Sequence, residues 1–194
     1  MAAPRPSGAR ADARRQTIVE AALEVVRSHP VADVQLAEIA ARAGMKPNHV
    51  LYYFASRDAV LIEAVRHAET ALADARSREL RAAEEPLARY VEQYLPDDRH
   101  DPVWKLWLEG WLRSASHDEF GAVGREMNER WLSDLVAVLE GSVAAGEDKL
   151  AFARRFNVFL DGLAVHVLAG HIDIEEAREW AMRMLAVELG LPHA

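Results

Sequence analysis

Positions 46–57 read "KPNHVLYYFASR", and the side chains gathered there could recognise a charged, hydrogen-bonding polymer. Lys46 and Arg57 can neutralise phosphate oxygens, and Tyr53 can donate a hydroxyl to one. Asn48 and His49 carry the short donors and acceptors that pair with base edges, Asn with adenine N6 and N7. Tyr52 serves equally well as a core ring or as a contact, and Gln35 upstream adds a further amide. The same residue types also occur on the solvated face of a plain corner between two helices. Composition of the segment leaves both readings open.

The flanking sequence shows what would position these groups. Within 14–28, Ile18, Ala21, Ala22, Val25 and Val26 recur at helical spacing, and His29 and Pro30 close that helix. Leu36, Ile39, Ala40 and Ala43 keep the same period for barely two turns. Gly44 then stands where a left-handed cap is needed, and Pro47 suits the first turn of a new helix. Val50 and Phe54, four apart, share a buried side. Ser56 is a good N-cap, with Asp58 in the first turn of a long helix from Arg57 to about Arg81. Residues 34–54 are thus predicted as short helix, tight turn, short helix. That is the outline of a helix-turn-helix, whose second helix can lie in a major groove.

In this stretch, residues 14–65 resemble the N-terminal domain of the TetR family of transcriptional regulators. Ile39-Ala40, Ala43-Gly44, Leu51-Tyr52-Tyr53-Phe54 and Ser56-Arg57-Asp58 keep the family register without a gap. The resemblance implies DNA contacts from Gln35, Lys46, Pro47, Asn48, His49, Tyr52, Tyr53 and Arg57. Five positions depart from the pattern. Lys46 replaces the usual Ser or Thr after the turn. Leu51 replaces a tyrosine that is often a phosphate contact, and Tyr53 takes the place of the family His. Val34-Gln35 also stands where a Thr pair is usual. The function implied is a transcriptional regulator, most readily a repressor that a small molecule releases from a palindromic operator. An activator or a ligand-independent regulator of the same family is the alternative, with a helical enzyme or a scaffold that binds no DNA further behind.

Charge and composition agree with that division. The chain has 194 residues and a formal net charge of −8, yet residues 1–66 sum to +2 and the remainder to −10. A small DNA-reading head on an acidic body would show this asymmetry. The expected organisation is a disordered basic arm (1–13, with Arg5 and Arg10), a DNA-binding domain (14–60) and an effector-binding and dimerisation domain (61–194). There is no cysteine and no apolar run of about 20 residues, so a cytoplasmic protein without a membrane span is expected. An all-α fold follows from the abundance of Ala, Leu, Glu and Arg.

Past a breaker at Pro86 and the polar run 96–102, helices are predicted to the end of the chain. Trp104, Trp107 and Trp111 fall on one helix and Trp131 on the next. They are either plain core or the aromatic wall of an effector cavity, with Asn128, Asn157, Phe156 or His166 completing it. Glu109 or Asp161 beside such a wall would suit a cationic ligand. The segment 148–170 is apolar nearly all round, and 173–190 opens on Asp173 as N-cap. Family resemblance makes these two the dimer interface, with Leu160, Leu163, Val167, Trp180 and Met184 as contacts. An enzyme finds no motif here: no Glu is followed three residues on by His, and no phosphate loop or nucleophile elbow is present. No cofactor or metal is expected.

Overall fold

In the computed structural model of the chain, residues 8–114, 118–142 and 148–190 are described, and among them every regular element is helical. The order is α1 (Gly8–Ser28), a 3-10 turn (Val31–Asp33), α2 (Leu36–Arg42), α3 (Pro47–Tyr53), α4 (Arg57–Ala82), α5 (Pro86–Tyr94), α6 (Pro102–Ser114), α7 (Asp118–Ser142), α8 (Lys149–Ala169) and α9 (Ile174–Leu189). The all-α architecture, with a three-helix head followed by a helical bundle, is the one expected.

Local chemistry sets the element ends. Gly44 adopts φ 67°, which lets the Met45 N–H reach the Ala40 carbonyl at 2.8 Å and the Gly44 N–H reach Ala41 at 3.1 Å. That double bond pattern closes α2 with a Schellman turn, and a side chain at 44 would be strained there. Pro47 starts α3 from an extended Lys46. Ser56 Oγ accepts the Ala59 N–H at 3.1 Å, and Asp173 accepts the Glu176 N–H at 2.8 Å. Two boundaries differ from expectation. The first helix begins at Gly8 instead of Arg14, because the alanine-rich run 9–13 contains no breaker and carries Arg10 into the helix; Arg5 lies outside the described residues. Pro86 starts α5 as its first helical residue, where its missing N–H goes unused.

The buried side chains form two clusters. One joins Ile18, Ala22, Val26, Ile39, Val50 and Phe54 of the head to Val60, Leu61 and Ala64 of α4, and runs on into Leu106, Phe120, Val123 and Met127. The other fills the body with Tyr90, Leu135, Phe152, Phe156, Leu160, Ala177 and Leu185. Helix α4 runs unbroken across residues 60–61, so head and body share one continuous rod and a common apolar seam.

Candidate functional site

The outer side of α3 is laid out by its inner side. Val50 and Phe54 are buried, and this turns Lys46, Pro47, Asn48, His49, Leu51 and Tyr52 outward. His49 lies against the Tyr53 ring at 5.5 Å, and Tyr52 meets the same ring edge-on at 5.1 Å. The side chains of Lys46 and Asn48 engage no other described residue. Arg15, which the sequence reading passed over, fixes the far end of α3. Its Nη1 donates to the Tyr53 carbonyl at 2.6 Å and its guanidinium sits 4.2 Å over the Phe54 ring.

Two of the expected contacts have other work inside the head. Arg57 Nε donates to the Val34 carbonyl at 2.7 Å, Nη2 to the Val31 carbonyl, and Nη1 to Asp58 Oδ1 at 3.1 Å. It ties the 3-10 turn to α4. Gln35 is the N-cap residue of α2: its N–H donates to Glu38 Oε2 at 2.9 Å and its amide to the Asp33 carbonyl at 3.1 Å. Residue type alone showed a free cation and a free amide; the folded chain uses both.

The body holds a cavity of about 470 Å³. Trp104, Trp107 and Trp111 on α6, spaced to share one side of the helix, line it together with Tyr94 of α5 and Asn128 and Trp131 of α7. The rings pack edge-to-face: Trp104 to Trp111 at 6.0 Å, Trp107 to Trp111 at 5.8 Å, Tyr94 to Trp131 at 4.9 Å. Trp104 Nε1 donates to the Tyr94 carbonyl at 2.9 Å. The indole N–H groups of Trp107 and Trp131 both converge on Glu69 of α4, at 3.0 and 3.2 Å. Arg76, two turns on, pairs with Glu69 at 3.4 Å and Asp134 at 2.8 Å and covers the Trp131 ring at 3.7 Å.

The lining acids therefore differ in their partners. Glu69 is paired with Arg76 and accepts two indole N–H groups. Asp161 of α8 also lines the cavity, yet its one hydrogen bond among the described residues is from the Tyr94 hydroxyl at 2.7 Å, and no described cation pairs with it. Burial pushes its carboxyl up to about 6, the Tyr94 hydrogen bond pulling the other way. Burial likewise raises the Tyr94 and Tyr90 hydroxyls well above the ordinary tyrosine value, so both stay protonated donors. What remains is a pocket with an aromatic wall and a half-buried acid, Asp161, that no described cation pairs, a setting that favours an organic cation.

Several expected lining residues lie elsewhere. Phe156 is fully buried and stacked on Phe152 at 5.8 Å, inside the body core. His166 is exposed at the end of α8, its Nδ1 3.2 Å from that of His171. Asn157 is buried and accepts the Tyr90 hydroxyl at 2.8 Å, and Glu109 faces Arg113 at 4.0 Å. The sequence reading missed Glu69, Arg76 and Tyr94. The seven-residue spacing of Glu69 and Arg76, which places both on one side of α4, was the available signal.

The expected interface residues divide. Leu160, Leu163 and Val167 point into the body and are buried by their own chain. An all-round apolar helix hides which stripe faces home. The free side of α8 carries Val158, Gly162, Val165 and Ala169, with Val158 69% exposed. On α9, Trp180 (42% exposed) and Val187 (69%) are open, and Met184 is half-buried.

Comparison with known proteins agrees with this anatomy. Residues 18–64 match the family described as bacterial regulatory proteins, tetR family, and residues 83–190 match the BetI-type transcriptional repressor, C-terminal. The HTH-type transcriptional regulator BetI of Cronobacter sakazakii is 27% identical over 190 residues, covering 93% of this chain and 94% of that protein. BetI of Pseudomonas aeruginosa is 31% identical over 157 residues, 77% of this chain and 79% of its own. Among solved structures, a transcriptional regulator from Saccharomonospora viridis in complex with choline superposes with a TM-score of 0.80 at 23% identity, over 90% of this chain and 96% of that one. A TetR regulator from Haloarcula marismortui gives 0.77 at 19% identity, over 92% and 97%. With a helix-turn-helix head, a matching repressor body and relatives that span nearly its whole length, the chain belongs to the TetR family of DNA-binding transcriptional regulators, with a C-terminal body of the BetI type.

Proposed function

We propose that the protein is a homodimeric repressor whose effector is a quaternary ammonium cation of about the size of choline. The observation that carries this reading is the wall of Trp104, Trp107, Trp111 and Tyr94 set beside Asp161, a half-buried cavity acid with no described cationic partner. A trimethylammonium group cannot donate a hydrogen bond, so indole faces and a nearby carboxylate are its natural partners. The choline bound by the Saccharomonospora viridis regulator, a protein of the same fold, supports the choice. Two copies meet through the open side of α8 and α9, and each presents α3 to one half-site. Half-sites roughly 34 Å apart need such a two-fold protein.

Helix α6 connects the two sites. One side bears the three tryptophans. Elsewhere around it, Lys105 Nζ donates to the last carbonyls of α1, Val26 at 3.0 Å and Arg27 at 2.9 Å, and Arg113 grips Asp58 at 2.5 and 3.0 Å. A shift of α6 on closing around a cation moves the head at both points and changes the fit to the operator.

Calorimetric titration tests the effector class. Choline should bind, and 3,3-dimethylbutanol, its uncharged isostere, should bind at least about tenfold more weakly, since cation–π attraction in a desolvated cage is worth about 2 kcal/mol or more. Choline should also shift the protein off its operator in a gel-shift assay. Equal affinity for the two compounds, or binding of choline with no effect on DNA, rules the proposed effector out.

A further inference from the structure

Leu51 and Tyr52 are exposed, at 45% and 57%, on a helix of only seven residues whose other outward side chains are mostly polar. Tyr52 has an apparent reason, its ring resting on Tyr53. Leu51 has none among the described residues. Its position is one turn beyond Asn48 and Pro47, so it shares their side of α3, while Val50 beside it supplies the helix's hold on the core. A leucine carries no donor or acceptor and can make neither a phosphate bond nor a base-edge hydrogen bond. The apolar feature that a B-form major groove presents is the C5 methyl group of thymine.

We infer that Leu51 is a specificity determinant that reads a thymine in each half-site through contact between its isobutyl group and the thymine C5 methyl. Where the family pattern has a tyrosine suited to the phosphate backbone, this chain places a side chain suited only to a base. Asn48, three residues before it, addresses the hydrogen-bonding edge of a neighbouring pair, so polar and apolar readout lie next to each other on one helical turn. The inference rests on α3 being the helix that enters the major groove.

The test first selects an operator from a random duplex pool with the wild-type protein. Each thymine of one half-site is then replaced in turn by uracil, which deletes only the methyl group. Wild type should lose about fourfold in affinity at one thymine, the factor that corresponds to about 0.8 kcal/mol for one buried methylene-sized group. Leu51→Ala should bind the original operator several-fold more weakly and lose nothing further on that uracil substitution. Its melting temperature should match wild type, because the side chain is exposed; Leu51→Met, checked alongside, should keep part of the uracil sensitivity. Wild type indifferent to every thymine-to-uracil change overturns the inference, as does a Leu51→Ala protein that retains the full uracil effect. Selection that yields no preferred sequence overturns instead the placement of α3 in the groove.

Discussion

Asp161 is the residue on which the proposed ligand chemistry and the cost of folding meet. Its carboxyl titrates near 6 in the folded chain against 3.8 for the free side chain. The fold therefore holds a proton that the unfolded chain has released between those values. That contribution favours folding fully below about 3.8 and is lost as pH rises through 6. At pH 7.5 the empty protein carries a partly buried charge without a cation, and Asp161→Asn should stabilise it by about 1–2 kcal/mol, an amount discounted for solvent screening. At pH 4 the two proteins should melt together. Ligand binding should show the opposite preference. Wild-type affinity for choline should fall as pH drops below 6, because proton and cation compete for the carboxylate. Asp161→Asn should bind roughly tenfold or more weakly at pH 7.5 and show no such pH dependence. Parallel pH profiles for the two proteins would remove Asp161 from the cation site.

At the scale of helices, α6 is both wall and lever, and the lever can be cut without touching the wall. Lys105 follows Trp104 in the chain but does not line the cavity, and its ammonium donates to backbone carbonyls of α1. Its partial burial lowers its pKa somewhat, and the orphan carbonyls at a helix end still favour the charged form. Lys105→Met should leave choline affinity within about twofold while reducing the choline-induced loss of operator affinity, a coupling typically of 1–3 kcal/mol. Gel shifts with and without choline measure this directly, and an unchanged ratio would assign the coupling to Arg113–Asp58 or elsewhere. The helices themselves were legible because their signals are local. Gly44, Pro47, Ser56 and Asp173 act on backbone groups within a few residues, and the 3.6 period marks each apolar side. What periodicity does not carry is the partner that each side meets. For α8, apolar in every direction, that gap hid that Leu160, Leu163 and Val167 are buried by their own chain. Similarly, Arg57 looked available because nothing local reveals a bond to a carbonyl more than twenty residues away; Gln35, by contrast, bonds Asp33 and Glu38, a local cap that the sequence reading passed over.

For the whole molecule, assembly sets whether two heads act together. The open apolar stripe of α8 and α9 is proposed as the seat of the second copy, and Val158, the most exposed large apolar residue of α8 and not part of the cavity lining, is the place to disturb it. Val158→Asp should convert the dimer to monomer in light scattering, with far-ultraviolet circular dichroism unchanged. Operator affinity should collapse by several orders of magnitude because two linked half-site contacts become independent. A Val158→Asp protein that remains dimeric would move the interface to another surface. The cavity was partly readable at this scale, since three tryptophans at helical spacing announce an aromatic wall. Of the two acids expected beside it, Asp161 lines the cavity and Glu109 does not, while Glu69, the hub, was not readable because it reaches the wall from a helix far away in sequence.

The distribution of indoles has an optical consequence. Four of the five tryptophans line the cavity, and the fifth, Trp180, stands on the open side of α9. Intrinsic emission is thus spatially sorted into a cluster at the cavity and a single emitter on the proposed dimer face. In a Trp180→Phe protein, quenching reports the cavity alone. With Trp104, Trp107, Trp111 and Trp131 changed to Phe, the remaining indole would shift to the blue as copies come together. One chain without any attached dye can therefore report its two equilibria as separate signals.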